Sequence, residues 1–247
     1  MPHARPRSVP IAAAAGALLA LAAAACTTRT EEPRTVSEGA GEVQATTAAL
    51  EAAPGSAAAA LHLVVAPAGN AARYKVRERL MGRDLDNDAV GVTSEVSGGI
   101  ALDSAGAVIP ALSRFTVRTS GFTSDAARRD GYVRGRLLES EAHPVVTFAP
   151  TSVRGLAKGA ATAPAGATHS FQLVGDLTVK GVTRPARWQV TARRAGATVT
   201  GSASTAFTFA EFGLTQPRVP VVLSVADTIR LEYDFTLAPA APATSAR

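Results

Sequence analysis

The sequence predicts an all-β protein whose folded part is a single antiparallel β-barrel of about eight strands with one short helix. Three observations carry this prediction. Residues 228–237 alternate apolar and polar side chains without interruption, which is typical of a strand with one face in a core. Residues 175–188 hold a second alternating pattern that reverses at Lys180-Gly181, where glycine accepts the positive φ of a hairpin turn. Other short segments alternate in the same way, and closing such a sheet into a barrel removes its unpaired edges.

Eight segments carry the strand pattern. Each has one apolar and one polar face, as expected for an antiparallel sheet with water on one side. In chain order they are residues 74–80, 91–102, 112–119, 145–153, the hairpin arms 171–179 and 187–193, then 198–209 and 228–237.

One segment breaks the strand pattern and predicts a helix over residues 126–138. Ser124 or Asp125 can cap its start. Two glycines inside it lower its helical propensity, so we expect a short or broken helix. Its apolar side chains would cover one end of the barrel, with Tyr132, Leu137 and Leu138 pointing inward.

The first 25 residues predict an export signal, because two arginines precede an apolar run that ends in small residues. Cys26, the single cysteine, follows at once and predicts a lipidated anchor of the bacterial lipoprotein type. The match is imperfect, since Ala23 stands where leucine is usual. The alternative is an ordinary secretory signal with an incidental cysteine. Either interpretation places the protein outside the cytoplasm, and the first tethers it to a membrane facing the periplasm or the cell exterior.

Residues 26–69 change composition toward Ala, Pro, Thr and Glu and predict a flexible tether, because such a segment buries too little apolar surface to become ordered. A short, marginal helix over 56–65 is an alternative within it. The expected division is a signal over 1–25, the tether over 26–69, the barrel domain over 70–238 and a disordered tail over 239–247.

Charge and motifs exclude several function classes. The formal net charge of +5 falls to about +3 once the leader is removed, and no stripe of basic and aromatic residues indicates nucleic-acid binding. The four histidines lack the spacing of metal ligands, and Lys180-Gly181 reverses the order that a phosphate loop requires. We therefore expect no metal, no cofactor and no catalytic site.

A weak calcium-loop pattern at Asp84, Asp86 and Asp88 lacks the required glycine and distal glutamate. Arg128-Arg129-Asp130 could hold a lipid phosphate, although a solvated helix end with a local ion pair is the simpler interpretation.

The barrel interior is the remaining candidate site. Apolar positions that share the inward face of their strands are expected to line it: Phe115, Val117, Phe148, Phe171, Leu173, Leu177, Val179, Trp188, Val190, Phe207, Phe209, Ile229, Leu231, Tyr233 and Phe235. Small inward residues such as Ala203 and Gly175 would leave room for a slender chain. A barrel of about eight strands can either be packed solid or hold one ligand, and the residues alone leave both possibilities open.

Three segments resemble the YceI-like family of bacterial polyisoprenoid-binding proteins. They are Gly175–Pro185 (GDLTVKGVTRP), the stretch from Arg129-Asp130 to Ser140, and Pro144–Phe148 (PVVTF). The resemblance implies a lipocalin-like barrel that holds a long isoprenoid or similar lipid and performs no catalysis. This chain has Tyr74-Lys75-Val76-Arg77-Glu78 where members usually carry an Asp and a His-Ser pair, so no role of that pair is transferred.

The expected function is therefore the binding of a long-chain lipid outside the cytoplasm, for sequestration or transport. The expected partners are that lipid and, through Cys26, a membrane. The alternative is an interaction module of the cell envelope with a filled barrel and no ligand.

Overall fold

The computed structural model describes residues 59–82, 86–157, 159, 165–218 and 222–241. The predicted signal, Cys26, the tether as far as residue 58 and the tail from residue 242 lie outside these residues, as do Asp84 and the rest of the segment 83–85.

Ten strand segments occur in the described part of the chain. They are β1 (Leu61–Val65), β2 (Ala71–Leu80), β3 (Asn87–Thr93), β4 (Val96–Leu102), β5 (Arg114–Arg118), β6 (Val145–Arg154), β7 (Thr168–Val179), β8 (Val182–Ala195), β9 (Thr198–Thr208) and β10 (Val222–Pro239). Three 3₁₀ turns lie between them, at Pro110–Leu112, Thr119–Gly121 and Ala210–Phe212.

These segments form a closed barrel of eight antiparallel positions. β1 and β2 lie end to end and together take the place of one strand in the wall. β3 and β4 do the same in the neighbouring place, where β3 pairs with β2 and β4 pairs with β1. β10 closes the barrel, because it pairs with β9 on one side and with both β1 and β2 on the other. The predicted all-β barrel is thus confirmed, and its strands succeed one another around the wall in chain order.

Residues 61–65 were expected to belong to the tether or, alternatively, to a short helix, and this expectation is wrong because they form β1. Leu63 lies opposite Ile100 of β4 on one side and Pro239 of β10 on the other. Its side chain is buried. The segment becomes a strand because the closing wall offers hydrogen-bond partners on both of its edges, and these outweigh the local helical propensity of the alanine-rich stretch before it.

A short helix, α1 (Ala127–Tyr132), continues into a π-helical turn over Val133–Leu137. The broken helix is confirmed, but the predicted cap by Ser124 or Asp125 is wrong. Ala126 occupies the N-cap position without a side-chain cap bond, and the Ser124 hydroxyl instead donates to Oδ1 of Asp130 at 2.6 Å. We call the barrel end that carries α1 the helix end, and the opposite end, where β1 begins and β10 ends, the terminal end.

The hairpin between β7 and β8 turns at Lys180 and Gly181, both at positive φ, and is confirmed as predicted. Nζ of Lys180 lies 2.6 Å from Oε1 of Glu139, which connects this turn to the segment that follows α1. The hairpin therefore holds the helix end together as well as forming two strands of the wall.

Candidate ligand cavity

The barrel encloses a cavity of about 960 Å³, which is at the upper end of the range typical of small-molecule sites. Every residue expected to line the interior contributes to its wall: Phe115, Val117, Phe148, Phe171, Leu173, Leu177, Val179, Trp188, Val190, Phe207, Phe209, Ile229, Leu231, Tyr233 and Phe235. The structure thus brings together on one surface side chains from six strands and from the turn that follows β9. Whether they contact a lipid stays a prediction.

Several of these inward side chains keep accessible surface although they face away from the solvent outside the barrel. Phe171, Trp188 and Leu231 are only half-buried, whereas Leu177 is 1% exposed. A side chain inside a closed wall keeps accessible surface only when no other side chain fills the space in front of it. The interior is therefore hollow, and these residues line it rather than fill it.

Aromatic side chains form much of the wall. The rings of Phe148 and Trp188 lie 5.7 Å apart and tilted, and the ring of Phe115 meets that of Tyr233 edge-on at 6.3 Å. Tilted and edge-to-face contacts are the favourable arrangements for aromatic pairs. They hold the rings in place around the empty volume without filling it.

The two small residues expected to leave room for a ligand behave differently. Ala203 lines the cavity, as predicted. Gly175 does not, because its position is occupied by a close approach of β6: a Cβ there would lie 2.2 Å from the carbonyl oxygen of Ala149. The glycine therefore allows tight packing of two strands rather than a wider interior.

A buried glutamate faces the cavity near the helix end. Glu78 is 7% exposed, and its Oε1 accepts hydrogen bonds from Nη2 of Arg129 at 3.1 Å and from Nδ2 of Asn87 at 3.2 Å. Arg129 also pairs with Asp125. These contacts compensate the buried charge and attach α1 to β2. The alternation of Tyr74, Val76, Glu78 and Leu80 placed the carboxylate on the inward face, but no sequence signal identified its partner.

Two tyrosines of the wall are held in the neutral form. Burial raises the pKa of Tyr74 to about 12, against an opposing effect of the positive charge of Arg129. Burial also raises the pKa of Tyr233, whose hydroxyl donates to Oδ1 of Asn70 at 2.7 Å. Neither phenol therefore supplies a charge to the cavity at neutral pH.

The three histidines in the described ranges do not form a common site. His169 lines the cavity at the terminal end, and His62 lies on β1. The carbonyl of His143 accepts a hydrogen bond from the Thr119 hydroxyl at 3.0 Å. Within the described ranges, no group of three or more His, Cys, Asp or Glu side chains is arranged to hold a metal ion.

No helix in this part of the chain is long and apolar enough to span a bilayer.

The sequence of residues 63–237 matches the family model described as the YceI-like domain. The chain belongs to the YceI-like family. The match covers the barrel from β1 to near the end of β10, so the family domain and the cavity wall coincide.

The structure is similar to several solved structures. One is a polyisoprenoid-binding domain from Saccharophagus degradans implicated in plant cell wall breakdown, with a TM-score of 0.56 and 14% identity over 73% of this chain and 99% of that one. BcnA of Burkholderia cenocepacia has a TM-score of 0.48 and 18% identity over 68% and 96% of the two chains. The Campylobacter jejuni YceI protein has a TM-score of 0.48 and 14% identity over 66% and 91%. No curated protein matches the sequence.

The three segments that resemble the YceI-like family meet at the helix end. The hairpin turn at Lys180 contacts Glu139, and the His143 amide donates to the Glu139 carbonyl at 2.8 Å. Glu139 itself has a positive φ of 49°, which brings the chain from the π-helical turn back toward β6. The family motifs thus stabilise the closure of one barrel end, and the apolar wall of the cavity is supplied mainly by other residues.

Proposed function

We propose that the barrel binds a long-chain amphiphile, of the isoprenoid class, with the chain lying along the cavity. One observation carries the proposal: a volume of about 960 Å³, lined mainly by apolar side chains, lies inside a closed wall. Membership of the YceI-like family and the description of the Saccharophagus degradans domain as polyisoprenoid-binding support the choice of ligand class.

The energetics favour such a ligand. Each methylene group removed from water contributes roughly 0.8 kcal/mol, so an apolar chain that buries about ten carbons gains about 8 kcal/mol before the costs of ordering it. The half-buried rings of Phe171 and Trp188 would lose their remaining accessible surface against the chain. Binding of this kind needs shape and apolar area rather than catalytic groups, and we propose a role in holding or carrying the lipid rather than in transforming it.

The alternative of a filled barrel that acts only as an interaction module receives less support. It requires side chains to occupy the interior, and the structure leaves that volume empty.

A titration of delipidated protein with a polyprenol, followed by the fluorescence of Trp188, tests the proposal. Trp188 is the single tryptophan, lines the cavity and contacts Phe148, so a bound chain should change its emission saturably. The response should depend little on salt, because the contact is apolar. Failure of any long-chain alcohol or lipid to bind would contradict the proposal.

We further propose that the protein is exported and anchored to a membrane through a lipidated Cys26. The support is the apolar run that ends at Ala25-Cys26. The Cys26→Ala protein should leave the membrane fraction and enter the soluble fraction of the cell envelope or medium, with an unchanged melting temperature. Retention of this variant in membranes at high salt would contradict the anchor.

A further inference from the structure

The solvent-exposed residues of the cavity wall lie at the helix end. Among the wall residues in the described ranges, those that are solvent-exposed are Arg128, Gly131, Arg136 and Arg218. The first three lie on α1 and its π-helical turn, and the fourth lies in the segment before β10. These exposed residues indicate that the cavity opens at the helix end, where three arginines border it.

These three arginines have no partner in the part of the chain that the structure describes. Arg128, Arg136 and Arg218 make no ion pair or hydrogen bond there through their side chains. The neighbouring Arg129, by contrast, is paired with both Glu78 and Asp125. Positive charge without an acidic partner therefore borders the opening.

The acidic side chains of Glu78 and Asp130, which lie at this end of the barrel, already have hydrogen-bond partners. Glu78 accepts hydrogen bonds from Arg129 and Asn87, and Asp130 accepts one from the Ser124 hydroxyl. The rest of the wall is predominantly aliphatic and aromatic as far as the terminal end, where His169 contributes a ring. The cavity is consequently polarised, with positive charge at one end and an apolar interior beyond it.

We propose that Arg128, Arg136 and Arg218 bind the anionic, phosphate-type head group of the amphiphile whose chain occupies the cavity. This inference rests on the proposed function. It also assigns the orientation of the ligand, with the head at the helix end and the chain directed toward the terminal end.

The chemistry of the opening suits a phosphate. A guanidinium group presents planar, fixed donors that match the oxygens of a phosphate in pairs, and it stays charged at all physiological pH values. Three such groups at one end of the cavity carry enough positive charge to balance a phosphate monoester, which has up to two negative charges. A neutral alcohol of the same chain length would gain the apolar contacts but none of these charge-assisted hydrogen bonds.

The experiment compares two ligands that differ only at the head. Delipidated full-length protein is titrated with a polyprenyl monophosphate and with the polyprenol of the same chain length, in the same uncharged detergent, at low and high salt. The test variant combines Arg128→Ala, Arg136→Ala and Arg218→Ala. The control combines Arg114→Ala, Arg154→Ala and Arg187→Ala, which removes the same charge from exposed positions outside the cavity wall.

We expect the unchanged protein to bind the phosphate at least about tenfold more tightly than the alcohol at low salt, and this ratio should shrink at high salt. The test variant should bring the ratio close to one without weakening the alcohol, and the control variant should keep it. Equal affinities for the two ligands in the unchanged protein, or an equal loss in both variants, would overturn the proposal. A folded protein that binds neither ligand would instead overturn the proposed function itself.

Two further arms identify the source of the phosphate. Inorganic phosphate should compete only at far higher concentration than the polyprenyl phosphate, because it lacks the chain. Vesicles containing an anionic phospholipid are then offered to all three proteins. If the test variant loses only its vesicle binding, while the unchanged protein binds phosphate and alcohol equally, the arginines contact a bilayer surface and the head-group proposal is wrong.

Discussion

Replacing Ala203 with tryptophan should block the cavity without unfolding the barrel. Ala203 lies on β9 opposite Val190 of β8 and Tyr233 of β10, and all three side chains line the cavity. A larger side chain at this position would project into the empty volume of the cavity. Its indole would occupy space that we assign to the ligand.

The size of the effect follows from the apolar area that the ligand loses. If the indole displaces about five methylene groups of the chain, the loss is about 4 kcal/mol, or roughly a thousandfold in affinity. A ligand that shifts along the cavity recovers part of this, so at least about a tenfold loss is expected. The stability of the ligand-free protein should be unchanged or raised, because the indole gains contacts in a space that holds no side chains.

The assay is a polyprenol titration followed by calorimetry, since the new tryptophan interferes with the Trp188 signal, together with thermal unfolding. Ala206→Trp is the matched control, because Ala206 lies three residues further along β9 and is exposed on the outer face. Overpacking a filled core costs about 1–3 kcal/mol. An Ala203→Trp protein that is destabilised by this amount and binds as before would refute the hollow interior.

Three further predictions test the wall and its polar contacts. Leu231→Arg should lower the free energy of unfolding in urea by about 2 kcal/mol or more, whereas Arg230→Ala should stay within about 0.5 kcal/mol; equal effects would mean that the strand faces are exchanged. Arg129→Ala should cost about 2–3 kcal/mol, because it leaves the Glu78 carboxylate buried without its cation, and urea denaturation of the Arg129→Ala, Glu78→Gln double variant should recover part of this loss. Burial raises the pKa of Tyr74, so the folded state keeps its phenol protonated and this contribution to stability is lost as pH rises from about 10 toward 12. Tyr74→Phe should therefore show a shallower fall of the unfolding midpoint over that range, and an unchanged fall would contradict the assignment.

The strands with long alternating patterns were predictable because one local rule fixes their inward face. The residues of β10 from Ile229 to Leu237 show this most clearly, and the same rule placed Trp188 and Val190 correctly on the cavity wall. Period-two alternation is a property of neighbouring residues, so the sequence contains it without knowledge of the partner strands.

Features that depend on distant partners could not be predicted in this way. β1 is a strand because Leu63 meets Pro239 at the other end of the chain, and its own five residues lie beside a low-complexity stretch. The role of Glu78 depends on Arg129, 51 residues away. The need for a glycine at position 175 arises from the carbonyl oxygen of Ala149 in the neighbouring strand, which leaves no space for a Cβ. Each contact is set by the closure of the barrel rather than by local propensity.

The hollow interior could not be predicted from the sequence either. Inward apolar residues are needed both to fill a barrel and to line a cavity, so their pattern is the same in the two cases. The difference lies in the diameter of the wall and in how far side chains such as Phe171 and Leu231 reach across it. Those quantities follow from the strand pairings of the closed barrel, and they became visible only in three dimensions.

Mass spectrometry of organic extracts from protein purified without denaturation shows whether the cavity holds a lipid in the native protein. We expect a long-chain amphiphile in about one-to-one proportion with the protein, and a strongly reduced amount in the Ala203→Trp protein prepared in parallel with the Ala206→Trp control. A protein that is folded yet yields no lipid from any source, and that takes up none when lipids are supplied, would contradict the claim that the cavity is a lipid-binding site.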